Sequence, residues 1–109
     1  ILHAFENKDE MAEAIAESDI LINATPVGMG DSAGETPVPA ELIKEGMAVA
    51  DAVYHPRMTQ ILKDAEAKGC KIIGGIIGMM IEQAATGEEI WYGVKMPTQE
   101  ILDELFPEE

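Results

Sequence analysis

Two polar side chains that could do chemistry, Asp51 and Tyr54, follow a run of small and branched apolar residues, M-A-V-A at residues 47–50. This run predicts a buried strand, and Pro56 ends the extended pattern shortly before a helical pattern begins. Ligands of open α/β sheets bind beyond the carboxyl ends of the strands. A carboxylate accepts hydrogen bonds, and a phenol both donates and accepts them. Asp51 and Tyr54 are therefore the leading candidates for contact with a ligand.

Gln83 is a third candidate, because the face of the predicted helix on which it lies is otherwise Met, Ile and Ala. A buried amide needs hydrogen-bond partners, so plain packing explains this residue poorly. Simpler interpretations remain open for the other two residues. Asp51 could be buried and bond backbone amides or cap the turn that follows it. Tyr54 could be a strand-end residue with a hydrated hydroxyl.

The composition limits the kinds of function. The chain has 109 residues, of which 47% are hydrophobic, so it can form one compact domain. Seven basic and 21 acidic residues give a net charge of −14, which repels nucleic-acid phosphates and anionic lipids. No apolar run approaches the ~20 residues of a spanning helix, and no signal peptide is visible. We expect no nucleic acid and no membrane as partner, and a cytoplasmic location.

The remaining reactive residue types form no catalytic or metal-binding pattern. Cys70 is the single cysteine, which excludes an internal disulfide and a Cys-rich metal site, and its place in a predicted helix-to-strand turn favours a structural thiol. His3 and His55 have no partners at metal-ligand spacing, and we expect both to be exposed. The sequence therefore predicts no metal site.

Extended and helical patterns alternate along the chain. Strands are predicted at residues 1–5, 19–26, 47–51 and 71–74. Asn7 followed by Glu10 is a capping-box-like start for a first helix, and Thr59 opens another helix that Gly69 ends. Further helices are predicted at residues 40–45, around 79–85 and at 99–105. Strands separated by helices need crossover connections, so the predicted fold class is α/β, a parallel sheet with flanking helices.

Three motifs resemble the shikimate dehydrogenase family in their order and spacing: D-I-L-I-N-A-T-P-V-G-M at residues 19–29, D-A-V-Y-H-P-R-M-T-Q-I-L at 51–62 and G-M-M-I-E-Q-A-A at 78–85. The later E-I-W-Y-G is similar to that family's Trp-and-Gly ending. The matching motifs are those of the family's carboxy-terminal half. The resemblance implies the second half of a Rossmann-like NADP-binding domain, followed by closing carboxy-terminal helices.

The resemblance implies an oxidoreductase that transfers a hydride between NADP and the carbon that is a ketone in 3-dehydroshikimate and an alcohol in shikimate. It implies cofactor contacts by Asn23, Thr25, Met29, Ala52, Gly75, Gly78 and Met79. It also implies that Tyr54 and Gln83 bind the substrate. A phenol and a neutral amide suit this role, since they hold a polyhydroxylated acid without adding a charge. Quinate in place of shikimate, and NAD in place of NADP, stay open.

Two departures from the family's pattern matter. Members show a glycine, two residues, Met-Leu and a glutamine four positions after that Met. Counting back from Gln83 places Ile76 where the glycine belongs, and one additional residue in the turn would restore it as Gly75. The family's glycine-rich phosphate turn, its basic cluster for the 2′-phosphate, and its catalytic lysine and aspartate have no counterparts here. We therefore assign no catalytic residue and expect the chain to be inactive alone.

The resemblance also implies a division of the chain. Residues 1–77 would form a partial dinucleotide-binding domain, and residues 78–109 would be helices that pack against a substrate domain. We expect Trp91 to anchor the final helices. In the usual Rossmann strand order 3-2-1-4-5-6, the strand at residues 1–5 would be strand 3 and the later strands would be strands 4, 5 and 6. The two central strands, 1 and 2, would then be missing. Either an amino-terminal half supplies them, or the strand at residues 1–5 pairs with the strand at 19–26 and a second copy of the chain covers the open edge.

Two other classes of protein stand beside the enzyme. A non-catalytic binding or scaffold module would keep the sheet and lose the chemistry. A phosphoacceptor receiver domain also has parallel strands that end in Asp, but it needs an acidic pair after its first strand and a lysine after its last, and neither is present. Saturable binding of NADP or shikimate would distinguish a retained site from a scaffold.

Overall fold

The fold is built on a parallel sheet with helices packed against it. The structure, a computed structural model, describes residues 6–107. Within this range three strands, β1 (Ile20–Asn23), β2 (Ala48–Asp51) and β3 (Lys71–Ile73), lie side by side in that order. The predicted α/β class and parallel sheet are therefore confirmed. The strand predicted at residues 1–5, and with it His3, lies outside the described residues.

Helices connect and follow the strands. They are α1 (Lys8–Ala16), α2 (Gln60–Ala67), α3 (Glu82–Tyr92) and α4 (Thr98–Leu105). A π-helical segment, Ile76–Ile81, leads directly into α3, and we call it the wide turn. The helix predicted at residues 40–45 is only a short 3-10 turn, Ala40–Leu42. Within residues 6–107, no helix combines the length and apolarity that a membrane span requires.

The ends of two helices follow the local sequence signals. The Asn7 side chain caps α1, because its Oδ1 accepts the backbone N–H of Glu10 at 3.2 Å. Gly69 follows α2 with a φ of +72°, a left-handed conformation that glycine adopts at low cost. Both predicted boundaries are confirmed.

The main core lies between one face of the sheet and helices α1 and α2. The strand register aligns Leu21, Val49 and Ile72 on this face, and Val49 is fully buried. The other core residues come from the helices and connections: Ile15, Val38, Ile43, Met47, Ile61, Leu62 and Ala65. Successive strand residues point to opposite faces. The opposite face therefore carries three exposed isoleucines, which we call the open face: Ile20, Ile22 and Ile73.

A second, smaller core holds α4 against the wide turn. Ile76 and Ile81 of the wide turn pack with Leu102 of α4. Hydrogen bonds in a π-helix join residues five positions apart, so the wide turn stacks Ile76 and Ile81 on one side. The attachment of α4 therefore depends on the geometry of this turn.

Candidate functional site

The carboxyl ends of β1 and β2 are joined by buried polar side chains. Asn23 and Asp51 lie opposite each other in the strand register and are 4% and 2% exposed. The Asn23 Nδ2 donates to Asp51 Oδ1 at 3.0 Å. The same Oδ1 accepts the backbone N–H of Val53 at 2.9 Å, and Oδ2 accepts the hydroxyl of Thr59 at 2.6 Å. We call Asn23, Asp51 and Thr59 the polar cluster.

The polar cluster is closed to ligands. Within residues 6–107, no buried side-chain nitrogen or oxygen lacks a hydrogen-bond partner. Asp51 is thus the buried, locally bonded residue of the simpler interpretation, and it does not reach the surface. Thr59 opens α2 as expected, but its hydroxyl bonds Asp51 and does not cap the helix. Sequence reasoning missed this bond, although both residues stand in one motif.

The polar cluster also shapes the loop that follows β1. Asn23 Oδ1 accepts the backbone N–H of Thr25 at 3.0 Å and the Thr25 hydroxyl at 2.7 Å. The Asn23 Nδ2 donates to the carbonyl oxygen of Val27 at 3.1 Å. Thr25 and Met29 are both exposed. These two candidate residues therefore lie at the surface beyond β1, and Asn23 lies buried beneath them.

The segment that follows β2 is held from two sides. On one side the N–H of Val53 is bonded to Asp51. On the other side Gly75 is buried, and a Cβ there would overlap the Val53 carbonyl oxygen and lie 2.7 Å from the carbonyl oxygen of Ala52. Tyr54, the next residue along the chain, is 47% exposed. The structure thus brings Gly75 against the segment that carries Ala52 and Tyr54.

The remaining candidates lie on the wide turn and at the start of α3. Gly78, Met79 and Gln83 are all exposed. A Cβ at Gly78 would lie 3.1 Å from Ile73 Cγ2, so the wide turn passes close to the end of β3. The Gln83 amide makes no hydrogen bond to any residue in the described part of the chain. This exposed amide is accessible to solvent and to a ligand.

The candidates share one edge of the sheet. The loop after β1 carries Thr25 and Met29, the segment after β2 carries Tyr54, and the turn after β3 carries Gly75 and Gly78. Because the strands are parallel, these connections all leave from the carboxyl ends. This edge is the usual ligand position of open α/β sheets.

A cavity of about 180 Å³ lies between the β2–α2 connection and the end of α4. It is lined by His55, Arg57, Ile76, Leu105, Phe106 and Pro107. The Arg57 Nη1 donates to the carbonyl oxygen of Phe106 at 2.9 Å, which ties the end of α4 to this connection. His55 is exposed, as predicted. Sequence reasoning did not find the cavity, because the cavity depends on where α4 packs.

The prediction that Trp91 anchors the final helices is wrong. Its side chain is 75% exposed, and its neighbours Ile90 and Tyr92 are 75% and 69% exposed. We call these three residues the α3 patch. Little of the end of α3 is buried by residues 6–107. The residue that anchors α4 is Leu102 and not Trp91.

Proteins with similar sequences are NADP(+)-dependent shikimate dehydrogenases. The enzyme of Dehalococcoides mccartyi strain CBDB1 is 43% identical over 98 residues, which make up 90% of this chain and 34% of that protein. The enzyme of Streptococcus pneumoniae strain JJA is 43% identical over 105 residues, or 95% of this chain and 36% of that protein. No protein-family profile matches the chain.

Solved structures give the same result. Shikimate 5-dehydrogenase from Listeria monocytogenes, in complex with shikimate and NAD, matches with a TM-score of 0.88 and 40% identity, over 97% of this chain and 37% of that one. This chain is homologous to the carboxy-terminal part of shikimate dehydrogenases. It spans about a third of the length of these shikimate dehydrogenases. Quinate dehydrogenase from Corynebacterium glutamicum, in complex with NAD, matches at a TM-score of 0.78 and 28% identity, over 90% of this chain and 34% of that one.

Proposed function

We propose that this chain provides the carboxy-terminal, cofactor-binding part of an NADP-dependent shikimate dehydrogenase, in which 3-dehydroshikimate and NADPH give shikimate and NADP. The observation that carries the proposal is the match of 97% of the chain to the Listeria monocytogenes enzyme in complex with shikimate and NAD. The NADP(+)-dependent enzymes among the sequence relatives favour NADP as the cofactor.

Residues around the strand ends would border the cofactor: Asn23, Thr25, Met29, Ala52, Gly75, Gly78 and Met79. Thr25 would lie near the ribose, Met29 would lie at the loop that follows, and Met79 would border the nicotinamide. The exposure of these three side chains supports the assignment, since a group that contacts a ligand must be accessible. Asn23 and Gly75 are buried, so they would act by shaping the backbone that faces the cofactor.

Tyr54 and Gln83 would hydrogen-bond the substrate. Both are exposed, and the Gln83 amide has no protein partner within residues 6–107. A phenol and an amide together offer donors and acceptors for the hydroxyl and carboxylate groups of shikimate. Neither adds a charge that would need its own partner when water leaves the site.

Turnover would need the family's phosphate turn and its catalytic lysine and aspartate, which have no counterparts in these 109 residues. Residues 1–77 would belong to the cofactor domain, and residues 78–109 would pack against a substrate domain. The open face and the α3 patch support the packing of such an amino-terminal half against this chain, since apolar side chains exposed together mark interaction surfaces. A second copy of the chain is the alternative occupant of the open face.

Complementation tests the proposal. The chain is co-expressed with the amino-terminal portion of the Listeria monocytogenes enzyme that it does not match, and NADPH oxidation is followed after 3-dehydroshikimate is added. We expect activity from the purified pair, which we call the complemented enzyme, and none from either part alone. A stable pair that binds neither NADPH nor shikimate would contradict the proposal.

Two alternatives are decided by the same preparation. The similarity to the quinate dehydrogenase structure favours quinate as the second candidate substrate, so quinate with NAD is assayed in the oxidative direction. A non-catalytic binding module would bind nucleotide without turnover of either acid. The ratio of kcat/KM for the two acids then identifies the substrate.

A further inference from the structure

We infer that Asp51 is a positioning residue, which holds the loops after β1 and β2 in a fixed relation without touching a ligand itself. The consequence for ligand binding rests on the proposed function, because these two loops carry the proposed cofactor and substrate contacts. The positioning of the loops is argued only from the hydrogen bonds of the polar cluster. Asp51 is 2% exposed, so any influence on a ligand must pass through its partners.

The first connection runs from Asp51 through Asn23 to the loop after β1. The Asn23 amide could in principle adopt two orientations, with its oxygen and nitrogen exchanged. A carboxylate only accepts hydrogen bonds, so Asp51 selects the orientation with Nδ2 toward itself, at 3.0 Å. In this orientation Oδ1 accepts both the N–H and the hydroxyl of Thr25, and Nδ2 also donates to the Val27 carbonyl. Asp51 therefore selects the hydrogen bonds that fold residues 23–27.

The second connection runs from Asp51 to the segment after β2. The Oδ1 atom accepts the N–H of Val53 at 2.9 Å and so fixes the peptide between Ala52 and Val53, one residue before Tyr54. The Oδ2 atom accepts the Thr59 hydroxyl at 2.6 Å, which ties in the start of α2. One carboxylate thus joins two loops and a helix.

The chemistry of these partners explains why the residue is an aspartate. All its partners, Asn23 Nδ2, Val53 N and the Thr59 hydroxyl, act as donors. Removing the acceptor would leave buried donors unpaired, which costs more than the bonds themselves contribute. No lysine or arginine within residues 6–107 pairs with Asp51, so these hydrogen bonds alone compensate for its burial.

The test uses the full 109-residue chain and amide hydrogen exchange measured by NMR, which requires no ligand. Asp51→Ala removes both connections, whereas Thr59→Val removes only the bond to Oδ2 and is the matched control. The Val27 N–H donates to the Thr25 hydroxyl at 3.3 Å, and so depends on Asn23 through Thr25. We expect Asp51→Ala to speed exchange at Thr25, Val27 and Val53 about tenfold relative to amides in α1, since the bonds of these amides are lost or loosened. Thr59→Val should change that ratio by less than about twofold.

Equal acceleration of the loop amides in both variants, or no acceleration in Asp51→Ala, would overturn the inference. If Asp51→Ala does not fold, Asn23→Ala tests the first connection alone. It should speed exchange at Thr25 and Val27 and leave Val53 protected. Loss of protection at Val53 as well would show general loosening and would also count against positioning.

A kinetic readout links the geometry to the site. In the complemented enzyme, Asp51→Ala should raise the KM for NADPH about tenfold, and Thr59→Val should leave it within about twofold. Hydrogen exchange needs neither cofactor nor partner, so a failed complementation would count against the proposed function and not against the positioning role. An unchanged KM for NADPH in Asp51→Ala would show that the loops do not contact the cofactor.

Discussion

Gly75 is required for close approach and not for backbone flexibility. Its φ of −67° and ψ of −25° are ordinary right-handed helical values that any residue adopts. The constraint is steric, because a Cβ would overlap the Val53 carbonyl oxygen and lie 2.7 Å from that of Ala52. The absence of a side chain therefore sets the distance between the segment after β2 and the wide turn.

Gly75→Ala should lower the free energy of unfolding by about 1–3 kcal/mol, because the added methyl group must displace backbone. Gly74→Ala is the control, since its Cβ would lie 3.6 Å from the Arg57 carbonyl oxygen, which is ordinary van der Waals contact. Urea unfolding followed by far-UV circular dichroism measures both variants. Equal stabilities would contradict the close approach.

Tyr54 and Gln83 give a kinetic prediction. In the complemented enzyme, Tyr54→Phe and Gln83→Leu should each raise the KM for 3-dehydroshikimate about five- to tenfold, because each removes neutral hydrogen bonds to the substrate. The KM for NADPH should not change. Gln99→Leu is the control, since the exposed Gln99 amide donates to Asp103 within α4 at 2.9 Å. A rise in the KM for NADPH alone would assign these residues to the cofactor.

At the residue scale, the sequence predicted features that depend on near neighbours. The cap at Asn7 and the stop at Gly69 need only a few adjacent residues, and both are confirmed. The environment of Asp51 depends on the register that brings Asn23 beside it, and on Thr59, eight positions away. No local pattern states whether a strand-end carboxylate faces a ligand or its own chain, so two interpretations stayed open until the structure decided between them.

At the scale of elements, the wide turn accommodates one residue more than an ordinary helical turn. If Gly75 is the glycine of the family's pattern, this chain has one additional residue between that glycine and Gln83. A π-helical turn absorbs such an addition, and it keeps Ile76 and Ile81 in the second core. The helix was predictable from its apolar residues. Its π form was not, because it depends on packing against α4, although the extra residue was a signal.

Deletion of Ile77 should be tolerated. This residue is 45% exposed, and its removal places Ile76 and Ile81 four positions apart, on one face of an ordinary α-helix. We expect the free energy of unfolding to change by less than about 1 kcal/mol. Inserting one alanine after Ile77 is the contrasting variant, because it turns one isoleucine out of the core and should cost about 2–5 kcal/mol. Equal losses in chemical denaturation would count against this account of the turn.

Leu102 is the buried residue of α4. Leu102 is 5% exposed in the second core, whereas Leu105 on the same helix is 67% exposed. Leu102→Ala should therefore lower the free energy of unfolding by about 2–5 kcal/mol, and Leu105→Ala by less than about 0.5 kcal/mol. Guanidinium denaturation compares the two. The opposite ranking would show that α4 packs through its other face.

At the scale of the whole molecule, the described residues cover the sheet on one face. The nearly continuous apolar pattern of residues 19–26 predicts a strand buried on both faces. Within residues 6–107, however, Ile20 and Ile22 are 64% and 62% exposed. The apolar pattern of this strand indicates that both faces of the sheet are buried, but it does not identify what buries the open face. The proposed amino-terminal half would bury these side chains.

The net charge of the chain bears on the alternative, in which a second copy of the chain covers the open face. Each copy carries a net charge of −14, so two copies repel each other at low ionic strength. The screening length is about 10 Å at 0.1 M salt and about 3 Å at 1 M, so salt removes most of this repulsion. Self-association through the open face should therefore be weak at low salt and should increase with salt concentration.

Serine substitutions locate the surface responsible. Ile22→Ser removes an apolar side chain from the open face without changing the charge, and Ile90→Ser does the same in the α3 patch, where Ile90 is 75% exposed. Sedimentation velocity at low and high salt should show reduced self-association for Ile22→Ser and wild-type behaviour for Ile90→Ser, because hydrophobic association scales with the apolar area buried. The reverse order would place self-association at the end of α3. Association that weakens with added salt would mean that attraction between charges, and not the exposed isoleucines, brings the copies together.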